Sequence, residues 1–450
     1  MYRNSWRRLP SRRSSGQTLV VVAIAMVALI GMLGFIFDTS RVELHRRQTQ
    51  SAADAAAQAA AFQLLGGLDR DRIEAARATA VSYASDNGVS AANVMVEIPP
   101  AAGPHANRDG FVRVRTIHNV NATLSRVFSS SPTMEVAAYA TAGVVSIPIG
   151  STMVVLDPTQ RSALRVYGDG TFYILSAPAY VNSRDTEAVS IEGPTRITAE
   201  TLSVAGGVDY PVKVSGRLQT GGLAVPDPFA HLVAPIITSR SEARLPDGTK
   251  LYTSPDSGGT AAWPALADID RDKTLRPGIY WGGIAISKRA TVTLQPGVYI
   301  MAGGGFSVYG KRTVVSGRDV FIYNTRNPYQ PDGAGAYGNC IVSNSAVTLE
   351  APTMASNPAY AGLLIFNDRS SSATISFDNR TSEILRNSLP DQAPIKGFIY
   401  SANGRVAIHD GGGSAGMGVV ARTVTVEDGG TLGLADRNRI PRVPTVRLVD

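Results

Sequence analysis

Cysteine is nearly absent: Cys340 is the single one in 450 residues. That excludes an intramolecular disulfide framework and a zinc cage built from thiolates. Cys340, between Asn339 and Ile341, reads as a small buried hydrophobe. Charge is also sparse, at 18% of residues against roughly 25% in ordinary soluble proteins. The net charge of +7 is local: Arg3, Arg7, Arg8, Arg12 and Arg13 lie within the first 17 residues with no acid among them, leaving +2 for the rest. A basic stretch so confined, directly before an apolar run, argues for membrane topology and against nucleic acid as a partner. What is plentiful is Gly (44) and Pro (26). Together they make about 16% of the chain against roughly 12% on average, which excludes a coiled coil or helical bundle as the main mass. An apolar share of 44% is enough to build a core and excludes a disordered chain. The length points to two or three units.

Residues 18–37, TLVVVAIAMVALIGMLGFIF, carry no charge. At 1.5 Å per residue they reach about 30 Å, the thickness of a bilayer's hydrocarbon core. A cleaved secretory signal is the rival, but Phe35, Ile36 and Phe37 close the run where small residues should precede a cleavage point. An uncleaved anchor is the expectation. Its five arginines stay in the cytoplasm, and residues 38–450 lie outside the cytoplasmic (inner) membrane.

The helix is expected to continue past the membrane. Residues 39–65 contain neither Pro nor Gly and are dominated by alanine, the best helix former. Ala52, Ala56 and Ala60 form one stripe; Ala53, Ala57 and Ala61 form the next. Small residues at this spacing admit a second helix closely, either from another protein or from the same unit. Gly66-Gly67 ends the helix.

These residues carry a resemblance. Gly16-Gln17, the uncharged span, Asp38, Arg41 and the block Thr49-Gln50-Ser51-Ala52-Ala53-Asp54-Ala55-Ala56-Ala57-Gln58 resemble the N-terminal module of the TadE/TadG-like proteins of Tad (Flp) pilus assembly. The resemblance implies an anchor that associates with other Tad pilus-assembly proteins or pilins through Ala52, Asp54, Ala56 and Ala60. Pilin-like relatives are cut after a glycine followed five residues later by Glu. Here Gly16-Gln17 would be that point, yet the fifth residue after Gly16 is Val21.

Five segments are expected along the chain: a cytoplasmic arm at 1–17, a transmembrane helix at 18–37, its alanine-rich extension at 38–66, a small α+β domain at 67–146 and an all-β region at 147–450. In the small, pilin-like domain, apolar residues at Ile73, Ala76, Ala80, Val81 and Ala84 give a helical rhythm that Asn87-Gly88 ends. Strands are expected at 94–98, 111–117 and 134–145. From 147 onward short in-out-in triplets replace helical periodicity, such as Val292-Thr293-Leu294 and Val424-Thr425-Val426. Some recur. Pro277-Gly278-Ile279-Tyr280 returns as Pro296-Gly297-Val298-Tyr299 after 19 residues, Ile284 as Phe306 after 22, and Val406 as Val424 after 18. Periods near 20 with short strands predict a right-handed parallel β-helix of about 10–13 coils; a β-sandwich is the alternative.

No catalytic residue, metal site or cofactor is expected. Val155-Leu156-Asp157-Pro158-Thr159-Gln160-Arg161 resembles the start of the von Willebrand A metal site carried by many TadG proteins. Arg161 stands where the second hydroxyl ligand belongs, and a cation there repels a metal. Asp368 with Arg369, Asp378 with Arg380, and His409 with Asp410 are the sets available for carboxylate chemistry on a β-helix face; solvated turns explain them equally. Gly303-Gly304-Gly305 and Gly411-Gly412-Gly413 lack the Lys-Ser/Thr of a phosphate loop and read as tight corners. Tyr309, Tyr323, Tyr329 and Tyr337 either face a sugar or pack inside. The expected function is thus a membrane-anchored, non-enzymatic component of a Tad pilus or secretion apparatus. The alternative is an anchored adhesin or a carbohydrate-binding or carbohydrate-active protein, with a surface polysaccharide as its partner.

Overall fold

The computed structural model describes residues 15–121, 133–310, 312–343, 345–378, 394–434 and 437–449. The arginines at 3, 7, 8, 12 and 13, and Arg380, lie outside them. Two compact units result: one of Met1–Ser146 with Pro444–Asp450, the other Ile147–Val443. The closing residues therefore belong to the first unit, where the sequence pattern had assigned everything from 147 to 450 to the β-region. Short in-out alternation looks the same in either sheet, so pattern alone does not separate them.

In the first unit a single helix, α1 (Ser15–Gln63), runs through the apolar stretch and the alanine block without a break, about 70 Å long. A 3-10 turn (Leu64–Gly66) closes it, and Gly67 leaves with φ 135°. The second helix, α2 (Arg70–Asp86), starts on Asp69, whose side chain accepts from the Arg72 N–H at 3.0 Å, one of the donors a helix start leaves unpaired. Strands β1 (Val94–Glu97), β2 (Phe111–Asn121) and β3 (Thr133–Pro148) form a sheet joined at its far edge by the strand Arg442–Leu448. β2 is antiparallel to both β1 and β3. Its alternation places Val112, Val114 and Thr116 inward, against the helices, and Arg113 and Arg115 outward.

The second unit is β-rich and its main sheet is parallel. Each short strand lies over the strand three places earlier, as Ile284–Ile286 lies beside Ala267–Ile269 and Phe306–Tyr309 beside Ile284–Ile286. Such all-parallel pairing does not fit a sandwich of antiparallel sheets. Following one ladder gives ten rungs, namely Ala267, Ile284, Phe306, Cys340, Ile375, Val406, Val424, Leu164, Val189 and Val208. The order is not that of the chain. The last rung in sequence, around Val424, stacks on the first, around Leu164. The chain therefore enters the stack in its middle, beside the point where it leaves: the Ile149 N–H bonds the Pro441 carbonyl at 2.9 Å.

Inside the stack, Ile284, Ile286, Phe306, Val308, Val342, Ile375 and their equivalents form one continuous core. Cys340 is part of it, and burial pushes its thiol up to about 12. The three flanks differ outside. Strands of the second ladder, such as Thr291–Leu294, alternate buried and exposed. Strands of the third, such as Gly297–Ala302 and Val320–Thr325, are buried along almost their whole length, as strands covered on both faces must be. Their cover is the segment 225–266, which runs back along the stack between its two ends. Asn182 exchanges two hydrogen bonds with Val225 (2.7 and 2.8 Å), Tyr360 Oη donates to the Val233 carbonyl (3.0 Å), and Asn327 Nδ2 donates to the Ala261 carbonyl (2.8 Å). Trp281, Phe321, Phe366, Phe398 and Tyr400 pack beneath it with Phe229. The Gly303-Gly304-Gly305 corner needs its glycines: Gly304 has φ 68°, and a Cβ there would lie 1.9 Å from the Gly282 carbonyl oxygen.

Candidate functional site

The exposed apolar part of α1 ends sharply. Leu19 to Phe37 present large side chains outward, whereas Asp38 is 4% exposed. At this border Thr39 Oγ1 and Ser40 Oγ donate back to the Phe35 and Ile36 carbonyls, at 2.7 and 2.8 Å, which satisfies hydroxyls close to an apolar environment. Gly16 and Gln17 lie in the first turns of the same helix.

The alanine stripes are not free for a partner protein. Ala52, Ala53, Ala56, Ala57, Ala60 and Ala61 are fully buried in their own unit, packed with Ala76, Ala80 and Ala84 of α2 and with Val112, Val114, Ala138, Ala140 and Ala142 of the sheet. The expectation that Ala52, Ala56 and Ala60 meet another protein's helix is corrected accordingly. Small residues do admit a close neighbour, and α2, with alanines at the same spacing, is that neighbour. Asp54 is held in the same unit: Gln50 Nε2 donates to its carboxylate at 2.8 Å and to the Tyr139 carbonyl at 2.9 Å. Nearby, His45 and His118 stack with centroids 4.4 Å apart, and burial with the neighbouring imidazole lowers the His118 pKa. Overpacking sets the first prediction. Ala56→Leu adds three carbons where no space exists and should destabilise this unit by about 1–3 kcal/mol, read as a lower thermal midpoint; an unchanged melt would contradict the packing.

The turn that resembles a metal site serves another purpose. Asp157 Oδ1 accepts from the Thr159 and Gln160 N–H groups at 2.9 and 2.7 Å, and Oδ2 accepts from Arg422 Nε at 2.8 Å. Burial raises its pKa, but these bonds outweigh burial and hold it below the usual carboxylate range. The bond joins the first and last rungs in sequence.

The carboxylate sets are likewise committed. Asp368 accepts from Tyr323 Oη at 2.7 Å, Thr325 Oγ1 at 3.0 Å and the Ser370 N–H at 2.9 Å. Arg369 turns away from it to clamp the covering segment, donating to the Phe229 and Leu232 carbonyls at 2.7 and 2.9 Å and to Tyr400 Oη at 3.2 Å. Tyr400 Oη in turn donates to Asp227 at 2.7 Å. His409 pairs with Glu427 at 2.7 Å. Sequence reasoning missed Glu427, although the 18-residue interval from Val406 to Val424, applied to His409, lands on it. Among the described residues no group of three or more His, Cys, Asp or Glu could hold a metal ion. Of the four tyrosines, Tyr323 is buried; Tyr309 and Tyr329 are exposed.

Among the described residues one helix, Leu19–Gln63, is long and apolar enough to cross a membrane. Residues 16–63 match the family model described as putative Flp pilus-assembly TadE/G-like. The match ends where α1 ends, so the likeness covers the anchor helix and its alanine-rich extension. No curated protein and no solved structure matches the chain.

Proposed function

We propose that the protein is a single-pass, non-enzymatic component of a Tad-type pilus or secretion apparatus in the inner membrane. The arginines at 3, 7, 8, 12 and 13 stay in the cytoplasm, and the β-rich unit, a right-handed parallel β-helix, is presented outside. The observation that carries this reading is the exposed apolar helix continuous with the module that matches the family. That family is structural rather than catalytic, in keeping with carboxylates spent on turns and rung contacts. With its alanines occupied, the anchor meets other Tad proteins or pilins through residues 19–37 and the outward face of α1, which carries Leu44 and Phe62. The test is protease added to spheroplasts, with sheared pili blotted for the chain. Digestion of residues 38–450 is expected, and their full protection would overturn the topology.

A further inference from the structure

Of the three flanks of the stack, one is covered by residues 225–266, and the second presents small side chains such as Thr291, Thr293, Ser316 and Thr348. The first is different. Its outward positions line up in register across six consecutive rungs as Tyr309, Ser343, Asp378, His409, Glu427 and Tyr167. The row spans five steps of about 4.8 Å each, about 24 Å in all. On the same six rungs the neighbouring outward positions are Ser307, Ile341, Ser376, Ala407, Thr425 and Arg165, small side chains except at Ile341 and Arg165.

We propose that this row binds a linear, uncharged glycan laid along the axis of the stack. An extended sugar chain advances by nearly one rung per residue, so successive hydroxyls meet successive side chains. Tyr309, 41% exposed, stands at one end of the row, where an aromatic face can stack on the apolar face of a pyranose ring; Tyr167 stands at the other end with the Arg165 guanidinium 4.7 Å above its ring. Between them are groups that accept and donate. Ser343 Oγ donates to Asp378 at 2.9 Å, and Glu427 holds the His409 ring through Nδ1 at 2.7 Å, which fixes the orientation of Nε2. The side chains of His409 and Glu427 are 28% and 36% exposed, so both are reachable. Carboxylates accept strongly from sugar hydroxyls, and Asp378 and Glu427 repel a polyanion. Arg165 does not reverse that sign, because Glu192 engages it with two bonds of 2.8 Å.

The experiment is calorimetric titration of the full-length, detergent-solubilised protein with N-acetylchitohexaose, cellohexaose and polygalacturonate. Saturable binding of a neutral hexasaccharide is expected, weakened about tenfold or more by Tyr309→Ala or Glu427→Gln and unchanged by Thr293→Ala on the second flank. Tyr309 is exposed, so its variant remains informative even if Glu427→Gln does not fold. Absence of saturable binding to either neutral hexasaccharide would overturn the proposal, as would binding of polygalacturonate alone or binding indifferent to both substitutions. No pilus machinery is present in this titration, so its failure leaves the anchoring role standing, and failure of that role leaves binding measurable.

Discussion

Val308→Asp is expected to unfold the β-rich unit, not merely loosen one strand. Val308 is fully buried in the stack core, with Ile286 beside it on one rung and Val342 on the next. A carboxylate there has apolar neighbours on both sides and no partner for its charge, which costs several kcal/mol. A folded domain has only about 5–15 kcal/mol to lose. Each rung buries few side chains and depends on its neighbours for the rest of its core, so the damage should spread along the stack. Limited proteolysis should then cut at many sites within 147–443, and the circular-dichroism melt should lose its cooperative β transition. A variant melting like the parent would contradict the inward placement of Val308. Geometry gives an independent check: Ile286→Cys with Val308→Cys should form a disulfide, because paired residues on adjacent rungs lie about 4.8 Å apart.

That pairing was legible in the sequence, because Ile284 and Phe306 occupy equivalent places in their strands and the 22-residue interval is the register. The 18-residue interval from Val406 to Val424 is another. The Pro-Gly-x-Tyr interval of 19 is not: Gly278 lies opposite Tyr299 and Tyr280 opposite Met301, an offset of 21. What repeats there is a side-chain device. Tyr280 Oη donates to the Arg276 carbonyl and Tyr299 Oη to the Gln295 carbonyl, each four residues back and at 2.7 and 2.8 Å. The motif marks the corner and not the ladder. The covering segment left a clue that went unused, since 297–302 and 320–325 are apolar without alternation, the mark of a strand covered on both faces. The alanine block left another. Two adjacent stripes imply burial on two sides, and Ala76, Ala80 and Ala84 are spaced to fill one of them. Nothing local marks the junction of Val424 with Leu164, because a parallel rung looks alike whether its neighbour is twenty residues away or more than two hundred.

Arg422→Ala should weaken that junction and remove part of its pH dependence. Backbone bonds cross it along its length, among them Leu156 N–H to the Ala421 carbonyl, Asp157 N–H to Arg422, Val419 N–H to Thr152, Val424 N–H to Ala163, Asp428 N–H to Tyr167 and Leu175 N–H to Leu432. One side-chain lock is Asp157 with Arg422, whose Asp side chain is 5% exposed; another is Asp428, which accepts from the Asp169 N–H at 2.8 Å. Without Arg422 one oxygen of a buried carboxylate loses its donor, at a cost of about 2–3 kcal/mol, the lower part of the range because the arginine is half exposed. The sign follows from the depressed Asp157 pKa. Its stabilising share is complete above the ordinary carboxylate pKa and vanishes as pH falls through the lower, folded value. Parent and variant melts should therefore differ at neutral pH and converge in acid; a difference that persisted undiminished in acid would assign the effect to something other than this pair. The order of the rungs has its own test in Arg165→Cys with Thr425→Cys, an outward pair in register across the junction. These positions are far apart in sequence yet adjacent in the stack, so oxidation should link them, while the Cys340 thiol, pushed up to about 12 by burial, stays protonated and does not compete. A disulfide typically contributes about 2–4 kcal/mol, enough to restore the melt of the Arg422→Ala protein. If the folded chain does not crosslink there, rungs 153–220 are not stacked on the last rung of the sequence.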